Sequence, residues 1–484
     1  MATDRTAPVP TTGTGAVSFR PTATAPMATA PALPRPDRLP LAERLADPFR
    51  QFVQAKSASG VVLIAVAIAA MAWANLGGDS YERTWNLPVG VQVGEWSFSM
   101  PLRLWINDVL MSVFFLLVGL EIKRELLVGE LATWRRAMLP LFAAFGGMVA
   151  PALIYLAINT GGPGASGWGV PTATDIAFAL GVLALVARRA PSGLTVFLAA
   201  LAIADDLGAV LLIGLVYGHA PSATSLAWVA AALGALVLAN RIGVRRPIWY
   251  WMLGALLWVA VHHSGVHATI AGVLLAFCVP ARALIAPDTF GAHAAEMLEA
   301  FDRGSGDHHA PTMLSNERQL RAIESLEAAS EAALPPLARM LHALHLPVNF
   351  VIMPIFALAN AGISLAGTGL DSVGPIALGV TAGLVLGKPI GILAMSWLAI
   401  ALGARRPAGV TWGQLAGVAC VAGIGFTMSL FVASLAFPDP ARLAEAKLGI
   451  TAASIVAGVV GALAVTFATR DVRARAATEA VRAA

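Results

Sequence analysis

Two adjacent carboxylates, Asp205 and Asp206, sit in the stretch LAIADDLGAVLL (201–212). Apart from Thr195 and these two acids, residues 194–216 are all apolar, tyrosine-free and glycine-poor. Asp175 and Lys388 occupy similar apolar runs, as does Asp108; Glu121 lies near the inner end of its run. An ionised side chain at the centre of a membrane helix costs roughly 2.5–3.5 kcal/mol on insertion scales, so such residues face a bundle interior or an aqueous cavity and mark function. A helix cap or a buried hydrogen bond accounts for a single such residue. That bland reading suits Asp108 best, because it follows Asn107 near the outer end of its run. It is a poor account of three aspartates and a lysine placed near mid-run.

The chemistry these residues could do follows from their types. Successive helical residues diverge by about 100°, so Asp205 and Asp206 cannot point the same way: one can meet a neighbouring helix while the other faces a cavity. Carboxylates with hydroxyls such as that of Thr174 suit hard cations rather than thiolate-loving metals. Two close carboxylates in a low dielectric do not both stay ionised and come to share protons. A site of this kind holds a small cation or protons, but not both, and that competition is the working principle of an exchanger.

The elements that must position these groups are interrupted helices. GWGVPTATDIAFALGV (167–182) places Pro171, Thr172 and Thr174 just before Asp175, and GVACVAGIGFTMSLFVASLAF (417–437) has Gly423, Gly425 and Thr427 at its middle. Freed backbone groups at membrane depth are tolerated only where they are buried in protein or line a cavity, and paired interrupted spans point to a transporter site. Broken helices aim positive N-terminal and negative C-terminal dipole ends at mid-membrane. Asp175 would balance the positive ends and Lys388 the negative ones.

Composition supports this frame. The chain has 484 residues, 57% hydrophobic and 12% charged, with a mean hydropathy of +0.74, whereas soluble domains carry about 25% charged residues. Apolar runs long enough to span about 30 Å of hydrocarbon recur, and the short alternating segments of a β-barrel do not. The fold class is therefore an all-α polytopic membrane protein. Twelve spans are expected near 58–78, 104–126, 138–159, 170–187, 192–217, 222–240, 247–262, 265–280, 347–366, 376–401, 412–436 and 444–468. With the N-terminus inside, the inner connections carry Lys123, Arg124, Arg135, Arg136, Arg188, Arg189, Arg241, Arg245, Arg246, Arg405 and Arg406, and the C-terminal end Arg470, Arg473 and Arg475. Four outer connections, 159–169, 218–221, 262–264 and 366–375, carry no lysine or arginine, while 79–103 carries Arg83 and Arg103 and 437–447 carries Arg442 and Lys447. By the positive-inside rule both termini are cytoplasmic, and the net charge of +4 is a topology signal rather than a nucleic-acid footprint.

The expected organisation is a disordered cytoplasmic tail over 1–55, rich in Ala, Thr and Pro, then helices 1–8 over 56–280. A charged helical cytoplasmic insert follows at 281–345, then helices 9–12 over 346–468 and a cytoplasmic tail at 469–484. The insert is read as a solvated helix pair, with a regulatory role as the sharper alternative. The outer stretch NLPVGVQVGEWSFSMP (86–101) alternates as a small hairpin would. Cys278 and Cys420 form neither a disulfide framework nor a metal cluster. His262, His263 and His267 lack cysteines or paired acids and are read as ordinary polar histidines, so no transition-metal site is expected. No Walker loop, HExxH or dinucleotide fingerprint occurs in a suitable context, so neither a cofactor nor an enzyme is expected.

Several long motifs then resemble one family. FFLLVGLEIKREL (114–126), ATDIAFALG (173–181), LAIADDLGA (201–209), SGVHATIAGV (264–273), FALANAG (356–362), GKPIGI (387–392) and GIGFTMSLFVASLAF (423–437) are similar to those of the NhaA-type sodium/proton antiporters. The likeness runs from about 58 to 468. It implies twelve helices and inverted repeats whose two broken helices cross at mid-membrane, a property of that family. It also implies electrogenic, pH-regulated exchange of sodium or lithium for protons. Carried over by position, Asp206 resembles the principal cation ligand and proton carrier, with Asp205 its partner. Lys388 is similar to the family lysine that pairs with the equivalent of Asp205 or titrates itself. Asp175, with Thr174, matches the acid at the crossing. Glu121, Lys123 and Glu125 resemble a pH-responsive cytoplasmic mouth, and His267 a histidine linked to pH response. One departure stands out: in MLHALHLPV (340–348) Leu341 replaces the glutamate expected beside His342. The outer hairpin is, by the same resemblance, a candidate homodimer contact. Two other classes fit less well. A passive cation channel would draw its carboxylate ring from symmetric subunits. An intramembrane aspartyl protease needs its acids on two helices facing one water and leaves Lys388 without a role.

Overall fold

The computed structural model describes residues 58–94, 96–186, 191–217, 222–304, 316–363 and 374–483. The expected tail at 1–55 and the connection bearing Arg188 and Arg189 lie outside these residues. Helix α1 (Ala58–Leu76) leads through the short α2 (Ser80–Trp85) into an antiparallel hairpin, β1 (Pro88–Val93) and β2 (Trp96–Pro101), at the alternating outer stretch. Helices α3 (Leu102–Val128) and α4 (Trp134–Ile158) follow. The fourth span is split into a 3-10 segment (Ala165–Thr172) and α5 (Ile176–Val186). Then come α6 (Ser192–Val216), α7 (Ala223–Arg241), α8 (Pro247–His262) and α9 (Ile270–Cys278).

The insert forms α10 (Pro287–Gly304) and α11 (Glu317–Ala333), packed against each other. Helices α12 (Pro336–Asn360) and α13 (Pro375–Ala401) precede the pair α14 (Trp412–Val421) and α15 (Phe426–Ala436), bent by 47°. The long α16 (Pro440–Ala483) closes the chain. Among the described residues, nine helices are long and apolar enough to cross a membrane, or ten if the bent pair is one span. The runs at 247–262 and 265–280 appear as helices of 16 and nine residues, short of that length.

Local chemistry sets these boundaries. Pro336 stands at the first turn of α12, where a missing N–H costs nothing, so this helix takes in residues 336–345, the last ten of the expected insert. Pro347 does not stop it, because the backbone widens into a π-turn at Val348–Ile352. A second π-turn, Gly383–Gly387, immediately precedes Lys388, and a third, Ile106–Leu110, contains Asp108.

In lipid no hydrophobic force drives one helix onto another, so close backbone approach at small residues does the packing. The tightest case is α4 on α13. A Cβ on Gly146 would strike the carbonyl of Gly391, and a Cβ on Gly391 would strike that of Gly146. That contact brings the Lys388 helix against α4, which also packs on α6. Large apolar side chains such as Leu153, Trp397 and Ile455 are exposed on the outer surface, which is stable only against hydrocarbon. Tyr81 donates to the Leu358 carbonyl at 2.9 Å and accepts from the Gly362 N–H at 3.0 Å, tying α2 to the end of α12.

Candidate ion site

The two helix breaks are hydrogen-bonded to each other. Ala173 is extended and Asp175 immediately precedes α5. The Asp175 N–H donates to the Ile424 carbonyl at 2.8 Å and the Thr174 hydroxyl to the Ala422 carbonyl at 3.0 Å. Both acceptors lie just past the C-terminal end of α14, in the break before α15, where carbonyls lack helical partners. The Asp175 carboxylate serves two helix N-termini at once. Oδ1 accepts from Phe178 N–H at 2.9 Å, capping α5. Oδ2 accepts from Thr427 N–H at 3.1 Å and from the Thr427 hydroxyl, at the first turn of α15. Aspartate is a favoured N-cap, and its charge here faces two positive dipole ends. Gly425 permits the approach, because a Cβ there would lie 3.1 Å from the Ala173 carbonyl.

Lys388 meets a negative end. Its ammonium donates to the carbonyl of Thr172, the last residue of the 3-10 segment, at 2.5 Å and to Asp205 Oδ2 at 2.8 Å. Both ionic side chains are buried, Lys388 at 1% and Asp205 at 2% exposure. The other Asp205 oxygen, Oδ1, is buried without a hydrogen-bond partner among the described residues. Asp206, equally buried at 2%, receives no hydrogen bond from the described residues. It lies in the field of Asp205, Glu121, Asp175 and Lys388. The divergence of neighbouring helical residues is visible here, since Asp205 turns to α13 and Asp206 does not. The arrangement leaves two carboxylate acceptors with unused lone pairs beside a single buried ammonium.

The remaining candidates do not form one group. Glu121 Oε1 stands 3.6 Å from His345 Nε2, and His345 lies four residues past the Leu341 departure and three past His342. Lys123 donates to the carbonyls of Val279 and Phe277 at 2.5 and 2.7 Å, closing the C-terminal end of α9. Glu125 Oε1 accepts from the Glu130 N–H at 2.6 Å. Lys123 and Glu125 are thus engaged by backbone groups. His267 lies elsewhere: its Nε2 is 3.9 Å from Asp108 Oδ1, and its Nδ1 is 2.9 Å from the Thr269 hydroxyl. His262 Nδ1 approaches Asp108 Oδ2 at 3.8 Å. Thirteen residues of helix, about 20 Å, separate Asp108 from Glu121 along α3. No cluster of three or more His, Cys, Asp or Glu among the described residues could hold a metal.

Sequence reasoning missed some partners. Thr427 was visible only as part of an interruption, and its position at the second residue of α15 is the signal that could have found it. The Thr172 carbonyl had no sequence signal. Glu445 caps the start of α13, accepting from Ile376 and Ala377 N–H at 2.8 and 3.1 Å.

An all-α, multi-pass membrane protein with buried ions gathered where two broken helices meet falls in the class of secondary transporters. Residues 50–465 match the model of a family described as Na+/H+ antiporter 1. A protein of Syntrophobacter fumaroxidans named Na(+)/H(+) antiporter NhaA is 48% identical over 423 residues, 86% of this chain and 90% of the relative. Proteins of the same name from Anaeromyxobacter sp. and Acidithiobacillus ferrooxidans are 46% and 47% identical. They cover 90% and 86% of this chain and 94% and 96% of their own lengths. The chain belongs to the Na+/H+ antiporter 1 family, and it is a bacterial multi-pass membrane protein.

Proposed function

We propose that this protein exchanges intracellular sodium or lithium for external protons, with Asp206 and Asp205 as the shared carrier. The observation that carries the reading is the buried Lys388–Asp205 ion pair beside the unpartnered Asp206 carboxylate. With protons bound, the acids are neutral and burial costs little. With a cation bound, the Asp206 carboxylate neutralises it, and the free Asp205 oxygen and the Thr174 hydroxyl supply further hard donors. Neither state leaves a naked charge in low dielectric, whereas a site with neither load does, and this penalty couples the two fluxes.

If two protons replace each monovalent cation, every cycle moves charge and the membrane potential drives export. The double cap on Asp175 lets the two half-helices move together, so that rocking of one helix bundle against the other exposes Asp206 to each side in turn. Glu121 and His345, at the end of α3 assigned to the cytoplasm, are the pair we assign to pH response. The arginine distribution supports a cytoplasmic position for both termini.

The test is cation-dependent collapse of a pH gradient in proteoliposomes. Wild type should respond to Na+ or Li+, and Asp206→Asn should not. Equal activity of the two proteins removes the site assignment, and absence of any cation response in wild type removes the function.

A further inference from the structure

A surface cavity lies apart from the ion site. It has a volume of about 1080 Å3 and opens at the surface between the N-terminal ends of α4 and α6 and the turn following α13. Four arginines line it, Arg135 and Arg136 from α4 and Arg405 and Arg406 from that turn; one acid, Glu130, opposes them. All four arginines are exposed, and among the described residues none of them forms an ion pair. The lining also includes the apolar side chains of Met138, Leu139, Val196 and Phe197. Trp134, 67% exposed, stands at the rim, where tryptophan favours the headgroup level of a bilayer.

We infer that this cavity binds the phosphate of an anionic phospholipid. Guanidinium groups match phosphate oxygens through paired N–H donors, and basic pockets between membrane helices on the cytoplasmic side take such headgroups. The N-termini of α4 and α6 add positive dipole ends. The choice of lipid over free phosphate rests on the apolar part of the lining: an inorganic anion needs the arginines alone, whereas a lipid also covers Met138, Leu139, Val196 and Phe197 with its glycerol and upper acyl chain. The three elements clamped by the headgroup are those that carry or support the ion pair: α6 bears Asp205 and Asp206, α13 bears Lys388 and α4 packs against both. Occupancy therefore stabilises the arrangement in which the Asp205–Lys388 pair is made. The inference does not depend on which ion is transported.

The experiment uses the delipidated full-length protein in detergent and follows its apparent melting temperature. Phosphatidylglycerol, phosphatidylcholine and inorganic phosphate are each titrated. Phosphatidylglycerol should raise the melting temperature of wild type, and the other two should not. Two independent double variants, Arg135→Gln with Arg405→Gln and Arg136→Gln with Arg406→Gln, should each need about 30-fold more phosphatidylglycerol for half the effect, equivalent to about 2 kcal/mol. Arg318→Gln with Arg470→Gln, which removes two arginines elsewhere, should titrate like wild type. Unchanged titrations in both cavity variants overturn the site. Equal stabilisation by inorganic phosphate overturns the lipid assignment.

Discussion

Replacing Lys388 by methionine keeps most of the aliphatic stem and removes only the ammonium, so the consequence is electrostatic rather than a cavity. At the 2.8 Å separation from Asp205 Oδ2, the attraction is about 6 kcal/mol at an effective dielectric of about 20. Much of that is offset by taking both ions out of water, which costs several kcal/mol per ion. The intact pair is thus close to neutral, but Lys388→Met leaves Asp205 charged and alone and costs about 3–5 kcal/mol. It also strips the Thr172 carbonyl of its donor. Adding Asp205→Asn removes the stranded charge and should recover most of the loss. Apparent melting temperatures of the two single variants, the double variant and wild type form the cycle. The expected order places the double variant well above Lys388→Met alone. A Lys388→Met protein as stable as wild type, or one not rescued by Asp205→Asn, refutes the pairing argument.

Other perturbations follow from named contacts. Asp175→Ala removes caps from both α5 and α15, and at about 0.5–2 kcal/mol per cap melting should report a loss of about 1–4 kcal/mol together with lost exchange. Tyr81→Phe leaves the Leu358 carbonyl and the Gly362 N–H without their partner, costing about 1–3 kcal/mol. Burial pushes the Tyr81 phenol up from 10.0 to about 12. The neutral phenol is thus favoured on folding, and its contribution, complete below pH 10, should fade as pH rises to 12; Tyr81→Phe should flatten that part of the melting profile. Glu121→Gln and His345→Ala break the same 3.6 Å contact, so each should shift the pH profile of exchange, and the double variant should shift it no further. An additive double variant separates the two residues.

Much of this was legible in the chain. Apolar runs gave the helices, Pro171 with Thr172 and Gly423 with Gly425 gave the two breaks, and the alternation at 86–101 gave the hairpin. Boundaries fared less well where a π-turn absorbed a proline: Pro347 reads as a place to begin a helix, yet α12 passes through it. By family resemblance alone, Glu121, Lys123 and Glu125 are expected to form one pH-responsive mouth. In the folded chain Lys123 and Glu125 face orphan backbone groups of a helix end and a turn, and only Glu121 meets a titratable partner.

Sequence by itself determined which residues are anomalous, because the cost of a charge in hydrocarbon depends only on the charge and the apolar run around it. It also determined the orientation argument, since arginines are counted connection by connection. Tertiary structure alone decided who meets whom. Lys388 reaches Asp205 across 183 residues, Asp175 reaches Thr427 across 252, and Lys123 reaches Val279 across 156. Helix periodicity fixes directions only within one helix; which neighbouring helix receives a side chain is set by close contacts such as Gly146 on Gly391. Those contacts turn Asp205 toward an ammonium and leave Asp206 beside it without a hydrogen-bond partner among the described residues.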